Sequence, residues 1–387
     1  MGLDGVSAGS ADEVLTQFQE NLPQYDDFKR IVLDEVPLMD VRAPVEFAQG
    51  AFEMATNLPL MNDAEREAVG RCYQQQGHEQ AVKLGHRLVN QATRAPRLAA
   101  WQAFMNAHPT AMLYCFRGGM RSKIAQQWLA DSGYTLPRLK GGYKAFRRYL
   151  IDFLEAVPQA FQQAGIRPQV LAGRTGCGKT LLLKRLRNQV DLEGLANHRG
   201  SAFGRHVSPQ PTQINFENAL AMALMRFQSQ NYNTLVLEDE AANIGSVSIP
   251  KGVFDFFKSG GHVVLEATLE ARLAITHEEY VVQAQAEYAQ FDDWAQFMTH
   301  AFERIRKRLG GERYQRVLTY FDQACQQQRQ QGVLDGHYAW IEVLLTEYYD
   351  PMYDYQIRKK QRKVDFSGDS QAVSDYLNNA LTVSERD

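Results

Sequence analysis

Short apolar runs recur over the first two thirds of the chain, each ending in a polar or glycine-bearing loop. Pro37-Leu38-Met39-Asp40-Val41, Ala111-Met112-Leu113-Tyr114, Gln169-Val170-Leu171-Ala172, Thr234-Leu235-Val236-Leu237 and His262-Val263-Val264-Leu265-Glu266 have the length and composition of buried strands. Amphipathic stretches follow them. Ile124, Ala125, Trp128 and Leu129 repeat at helical spacing, and Leu181 to Gln189 predicts another helix. Strands alternating with helices predict an α/β chain with parallel sheets. Residues 1–22 read as a tail and a short helix, with a second helix from Asp26. Asp63 to Arg97 is an insertion rich in helix formers and polar on most faces, the kind of addition that faces a substrate. Arg147 to Phe161 reads as a connecting helix, with Gly165 and Pro168 marking a boundary, and from residue 284 the pattern turns helical and charged. The expected organisation is a tail at 1–23, an α/β domain at 24–150, a linker helix at 151–167, a second α/β domain at 168–283 and a helical region at 284–387.

At 387 residues the chain exceeds one ordinary core, in keeping with two or three domains. Hydrophobic content of 44% and charged content of 22% are globular values. No apolar run approaches the roughly 20 residues that span a bilayer, so no membrane partner is expected. The polar stretch Met1 to Ser10 lacks a signal-peptide pattern. Four cysteines (72, 115, 177 and 325) without a CxxC pair argue against a zinc ribbon or a disulfide framework, and point to a reducing cytoplasm. A net charge of −3 gives no global attraction to nucleic acid, so such a partner needs a local basic patch.

Candidate chemistry concentrates in two loops. In the first, the strand ending at Tyr114 delivers Cys115 into Phe116-Arg117-Gly118-Gly119-Met120-Arg121-Ser122, and a helix follows. A thiol at a helix N-terminus beside Arg117 and Arg121 is a candidate nucleophile, because both features favour the thiolate. The amides of Gly118 and Gly119 can turn toward an oxyanion. An inert buried thiol is the bland alternative. Cys72 and Cys325 lack such company and read as packing residues, and Cys177 reads as a small residue within the second loop.

That second loop, Gly173-Arg174-Thr175-Gly176-Cys177-Gly178-Lys179-Thr180, matches G-x-x-x-x-G-K-T with a strand before it and a helix after it. Its amides can surround a polyphosphate, with Lys179 reaching the outer phosphate and the Thr180 hydroxyl facing magnesium. Leu235-Val236-Leu237 runs into Glu238-Asp239-Glu240, an apolar strand ending in acids that can orient that magnesium, and Asp239 is the expected ligand. Between these segments, the glycine-broken stretch from Asp191 to Arg205 carries His198, Arg199 and Arg205, and reads either as a phosphate clamp or as a solvated connector. Toward the C-terminus, Arg304, Arg306, Lys307 and Arg308 form one basic cluster. Tyr353 and Tyr355 precede a second, made of Arg358, Lys359, Lys360, Arg362 and Lys363. Stacking rings beside cations suit a nucleic-acid surface, although a solvated helix face has the same composition.

Asp40-Val41-Arg42-Ala43-Pro44-Val45-Glu46-Phe47, the Cys115 loop and Leu139-Lys140-Gly141-Gly142-Tyr143-Lys144-Ala145-Phe146 together resemble the rhodanese sulfurtransferase domain over roughly residues 24–150. The loop departs from the common form, which has four residues between the cysteine and the basic residue; here there are five. The Cys-x5-Arg spacing also occurs in phosphatases of that fold. It predicts a ring of amides wide enough for a tetrahedral oxyanion, and leaves a phosphatase open.

The order of a rhodanese-like domain and then a P-loop domain is more restrictive than either alone. With Asn197-His198-Arg199-Gly200-Ser201-Ala202-Phe203-Gly204 and Glu347-Tyr348-Tyr349-Asp350-Pro351-Met352-Tyr353, the chain closely resembles the tRNA 2-selenouridine synthase family after residue 24. The resemblance implies a bacterial transferase acting on the wobble uridine of tRNAs that carry 2-thiouridine. Geranyl diphosphate would first give S-geranyl-2-thiouridine, and selenium from selenophosphate would then replace the sulfur. On this implication Cys115 takes selenium as an S–Se species while Arg117, Arg121 and the amides of Gly118 and Gly119 hold the oxyanion. The P-loop with Asp239 would cradle the diphosphate of geranyl diphosphate, nucleotide binding being the open alternative. No tightly bound cofactor is expected beyond magnesium at Thr180 and Asp239, and an enzyme supplying selenophosphate is an expected partner. Two other classes stay open, a P-loop kinase or NTPase regulated by a rhodanese domain and a non-enzymatic tRNA-binding or sulfur-relay adaptor. The groove for a geranyl chain is not visible in the sequence.

Overall fold

A computed structural model describes residues 21–201, 203–360 and 363–379, which divide into two compact units between Phe153 and Leu154. The tail and short helix expected up to residue 20, and the segment beyond residue 379, lie outside the described residues.

In the first unit, strands β1 (Gln24–Tyr25), β2 (Leu38–Asp40), β3 (Ala55–Asn57), β4 (Met112–Tyr114) and β5 (Arg138–Leu139) form one parallel sheet in the order β1-β5-β4-β2-β3. β2 and β4 are buried along their whole length, as expected of strands covered on both faces. Their pairing sets Leu38 against Met112 and Asp40 against Tyr114, so the segments after Asp40 and Tyr114 leave the same edge of the sheet side by side. Open parallel sheets bind ligands at this edge. Helices α1 (Phe28–Leu33), α2 (Pro44–Gln49), α3 (Asp63–Leu88), α4 (Gln91–Ala107), α5 (Met120–Asp131) and α6 (Gly142–Gln163) complete the unit, and α6 runs on past Phe153. The insertion is helical, as its composition predicts. Asn62 opens α3 with a capping box: it accepts from the Glu65 amide at 2.8 Å, while the Glu65 carboxylate accepts from the Asn62 amide at 2.8 Å. At Gly77 (φ 80°, ψ −177°) α3 breaks into two arms, in a backbone conformation that side-chain-bearing residues avoid.

In the second unit, strands β6 (Arg167–Ala172), β7 (Thr234–Glu238), β10 (Gly261–Leu265) and β11 (Val364–Gly368) form a parallel sheet in the order β11-β10-β6-β7, and β8 (Asn243–Ile244) pairs with β9 (Val247–Ser248) as a small hairpin. Its helices are α7 (Lys179–Leu183), α8 (Leu192–Ala196), α9 (Gln213–Ser229), α10 (Lys251–Lys258), α11 (Leu269–His277), α12 (Phe291–Leu309), α13 (Gly311–Gln331), α14 (Tyr338–Leu344), α15 (Asp350–Lys360) and α16 (Ser370–Asn379). α12 to α14 bury an aromatic core in which Phe302, Phe321 and Trp340 meet edge to face.

Two expectations are corrected here. The region from 284 is not helical throughout, because β11 pairs with the outer edge of β10 and α16 buries Val373 and Leu377 against Leu171 and Val263. Covering that edge satisfies backbone groups that β10 would otherwise leave unpaired. The helix expected over Leu181 to Gln189 ends at Leu183. The chain then runs along β7, with the Val236 amide donating to Asn188 O at 2.9 Å and the Val190 amide to Val236 O at 3.0 Å. Those sheet bonds claim the backbone that a longer helix would need. No helix of the described residues is long and apolar enough to cross a membrane.

Candidate active sites

The Cys115 loop is built on a buried ion pair. Asp40 and Arg42 are 0% and 1% exposed, with Arg42 Nη2 2.6 Å from Asp40 Oδ2 and 2.7 Å from Gly50 O. The Arg42 guanidinium lies 3.9 Å from the centre of the Tyr143 ring, tying the segment after β2 to the glycine turn before α6. That turn is bonded to the loop in turn. The amides of Tyr143 and Lys144 donate to Cys115 O and Phe116 O, both at 2.9 Å. Gly142 (φ 60°) is required here, because a Cβ would stand 2.3 Å from Cys115 O and 2.5 Å from the Gly118 nitrogen. Arg138 donates to Gly118 O at 2.9 Å.

Cys115 is 3% exposed, and its Sγ donates to Ser122 Oγ at 3.2 Å, while Ser122 Oγ donates to Gly119 O at 2.9 Å. Gly119 precedes the first turn of α5, so Cys115 and Ser122 meet at a helix N-terminus. Arg121 is held by Glu46 at two points, 2.5 and 3.0 Å. Burial works against ionising Glu46, but the Arg121 guanidinium outweighs it and keeps the carboxyl below its ordinary pKa. Arg117 is exposed, its guanidinium 5.9 Å from the Phe116 ring centre. The structure thus assembles Cys115, Gly118, Gly119, Ser122 and Arg138. It leaves Arg117 at the surface and engages Arg121 with a carboxylate. Ser122 and Arg138 escaped the sequence reading; a hydroxyl directly after the arginine was the available signal for the first.

The second site lies at the corresponding edge of the other sheet. β6 and β7 set Leu171 opposite Glu238, and the Asp239 amide donates to Leu171 O at 3.2 Å, so the phosphate-type loop and the acids leave the sheet together. A cleft of about 800 Å³ is lined by Gly173, Thr175, Gly176, Gly178, Lys179 and Thr180, and also by His198, Arg199, Asp239 and Glu240. Gly176 (φ 78°) leaves no room for a Cβ, which would meet Thr276 Oγ1 at 2.3 Å. Lys179 Nζ donates to Gly173 O at 2.9 Å and Arg174 O at 3.3 Å. Arg174, expected to face phosphate, pairs instead with Asp350 and Asp354, each at 2.9 Å.

Thr180 and Asp239 were expected to share a magnesium ion. Instead the Thr180 hydroxyl donates to Glu193 Oε2 at 3.3 Å, and Asp239 pairs with Lys258 at 2.6 Å. Burial and then the neighbouring Glu240 push Glu193 up to about 8. Glu240 is also raised, chiefly by burial, and the two carboxyls hydrogen-bond to each other. Two acids held together through a shared proton suit a cation that displaces it. Among the described residues no three His, Cys, Asp or Glu side chains are placed to hold a metal, and any magnesium there would rest on one or two carboxylates with water and phosphate oxygens completing its shell. Gly200 (φ 66°) packs the 197–206 loop onto this pair, for a Cβ there would lie 2.2 Å from Glu193 Oε1. Burial, with Arg205 and His206 adding to it, lowers the pKa of His198. Arg199 and His206 both reach Glu287 Oε1 at 2.7 Å, while Arg205 is exposed.

Of the basic residues expected to meet nucleic acid, Arg304, Arg306, Lys307 and Arg308 are exposed on α12, and Arg308 also lines the cleft. Tyr353 lines the cleft from α15, Tyr355 is 61% exposed and Arg358 is exposed. Lys359 and Lys360 close α15, Lys363 is exposed just before β11, and Arg362 lies outside the described residues.

Residues 166–383 match the family model of the tRNA 2-selenouridine synthase AAA domain. The tRNA 2-selenouridine synthase of Hydrogenovibrio crunogenus (strain DSM 25203 / XCL-2) is 69% identical over 356 residues, covering 92% of this chain and 99% of its own. Those of Sulfurovum sp. (strain NBC37-1) and Marinobacter nauticus (strain ATCC 700491 / DSM 11845 / VT8) are 50% and 48% identical, each over 92% of this chain and over 99% and 97% of their own. Identity at this level over nearly the full length of each protein, together with the matched domain, places the chain in the tRNA 2-selenouridine synthase family.

Proposed function

We propose that the protein converts 2-thiouridine at the wobble position of tRNA to 2-selenouridine in two steps, geranylation and then selenation. The observation that supports the reading is the presence in one chain of two glycine-bearing loops that leave buried strand ends, one holding the thiol Cys115 and the other, Gly173 to Thr180, lining a cleft.

In the first step the thione sulfur attacks C1 of geranyl diphosphate, the carbon–oxygen bond breaks with its electron pair leaving on the diphosphate, and the N3–H proton of the base passes to solvent. Lys179 turns from the Gly173 and Arg174 carbonyls to that leaving group, and the loop amides stabilise its charge. Magnesium held by Thr180 and Glu193 would offset the same charge. Geranylation turns a poorly displaced thione into a thiolate leaving group.

In the second step selenium of selenophosphate adds at the ring carbon and the carbon–sulfur bond breaks, releasing geranyl thiolate, which takes a proton from water. The Cys115 thiolate then attacks phosphorus, returning the selenium–phosphorus pair to selenium, and the base takes a proton from water at N3. Water hydrolyses the cysteinyl phosphate while the Ser122 hydroxyl donates to the departing thiolate. Carrying selenium on Cys115 would instead require an outside thiol to split the S–Se bond. Phosphoryl transfer balances with water alone, and the five-residue loop spacing favours it. The solvated arginines of α12 and α15 supply the phosphate contacts for tRNA.

The test is nucleoside analysis of tRNA after incubation with purified protein. Geranyl diphosphate alone should yield S-geranyl-2-thiouridine, and added selenophosphate should yield 2-selenouridine with inorganic phosphate. ATP hydrolysis without tRNA, and no altered nucleoside, would replace this reading with the kinase or NTPase one.

A further inference from the structure

The first unit contains a cavity of about 610 Å³ that the loop chemistry above leaves unused. Its volume falls within the roughly 300–1,000 Å³ of small-molecule sites. Met61, Val69, Val82, Val89, Ile124 and Trp128 supply its apolar walls. The break at Gly77 lets both arms of α3 contribute, since Val69 stands on one and Val82 on the other.

Two observations connect this cavity to Cys115. Met120 and Arg121, from the turn that follows the cysteine, form part of its wall. Cys115 also belongs to the apolar cluster that contains Met61, Val89 and Leu129, against which Val69, Ile124 and Trp128 pack. At the loop end Arg66 reaches Glu46 at 3.6 Å and Glu46 reaches Arg121, so an ion-pair group sits beside the thiol loop, while Glu67, Arg71, Gln74, His78 and His86 of α3 also border the cavity around its apolar walls.

We propose that this cavity receives the geranyl chain of S-geranyl-2-thiouridine during selenation. The proposal rests on the two-step reading and adds where the leaving group goes. Selenium enters at the ring carbon next to the geranylated sulfur, so the prenyl chain must extend from a point close to the Cys115 loop. An apolar socket opening on that loop takes a branched ten-carbon chain out of water and leaves the uridine ring at the loop end. It also discriminates, because a 2-thiouridine without the chain cannot fill it.

The test uses the full chain and two probes, S-geranyl-2-thiouridine and S-methyl-2-thiouridine, as free nucleosides and within tRNA. The geranyl nucleoside should shift the fluorescence of the wild-type protein through Trp128, and the methyl nucleoside should not. Val82→Phe and Val69→Phe fill the cavity from partly exposed positions, with circular dichroism confirming the fold of each. With selenophosphate, each should lower kcat/KM for geranylated tRNA at least tenfold more than for S-methylated tRNA. Equal losses on both tRNAs overturn the proposal. So does a change in sedimentation mass with selenation intact, which would assign the cavity to a second copy of the chain. Binding of the geranyl nucleoside without selenation by the wild type would sink the reaction scheme and leave the prenyl socket standing. Absence of binding would remove the socket.

Discussion

Arg272 and Asp350 form a two-point pair, with Nη1 3.0 Å from Oδ2 and Nη2 2.7 Å from Oδ1. Arg272 Nε also donates to Thr175 O at 2.9 Å, so one guanidinium fastens the start of α15 to the phosphate-type loop. Asp350 opens α15, and through Arg272 it braces the Gly173 to Thr180 loop. Asp350→Ala would leave a guanidinium that is 5% exposed without its carboxylate. Breaking one side of such a pair costs about 3–5 kcal/mol. Thermal unfolding should show that loss, and calorimetry should show weakened geranyl diphosphate binding. Unchanged stability would mean that another group takes over the charge.

Cys115→Ser should block formation of 2-selenouridine at the stage of the selenium-phosphorylated nucleoside and spare geranylation, since the thiol and the Lys179 loop belong to different sheets. Ser122→Ala keeps the nucleophile but removes the hydroxyl 3.2 Å from Sγ. It should slow hydrolysis of the cysteinyl phosphate, so that labelled phosphorus from selenophosphate accumulates on the protein. Equal loss of both steps in a folded Cys115→Ser variant would dissolve the division of labour.

Glu193 holds its proton up to about pH 8, because burial and Glu240 disfavour its charge. A cation entering with diphosphate displaces that proton. Affinity should therefore rise between pH 7 and 8, approaching about tenfold per pH unit for one proton released. Without ligand the sign reverses. The folded chain binds more protons than the unfolded one, so this carboxyl costs stability as pH rises from its ordinary value to about 8. Glu193→Gln should flatten the binding profile measured by calorimetry in magnesium.

His337 is fully buried, accepting from Trp340 Nε1 at 2.9 Å and lying 2.9 Å from Gln328 Oε1. Burial first, and then His277, lower its pKa to about 4. The unfolded chain binds this proton near pH 6.5 and the folded chain only near 4, so stability is lost as pH falls through that window. The shift corresponds to about 3 kcal/mol. Acid unfolding followed by circular dichroism should steepen there, and His337→Gln should remove that part of the slope.

The local geometry of both candidate loops was readable because it is set by neighbouring residues. A strand, a glycine loop and a helix lie in consecutive residues at Cys115 and again at Gly173 to Thr180, and a loop's own amides do not depend on distant partners. What went unseen was pairing across sequence. Glu46 meets Arg121 75 residues away, and Arg272 meets Asp350 78 residues away. Asp239 stood in the expected position after its strand, yet Lys258 occupies it and Glu193 meets Thr180.

Residue order alone specified most of the succession of strands and helices, the two glycine-bearing loops at Cys115 and at Gly173 to Thr180, and the helical character of the insertion. Backbone preference and apolar spacing are properties of neighbouring residues. The fold decided which charges neutralise one another, that a C-terminal strand closes the second sheet, and that a mostly polar insertion bends at Gly77 to enclose an apolar cavity beside Cys115. Each of these depends on side chains brought together through space, and on the burial that makes an unpaired charge or an open sheet edge costly.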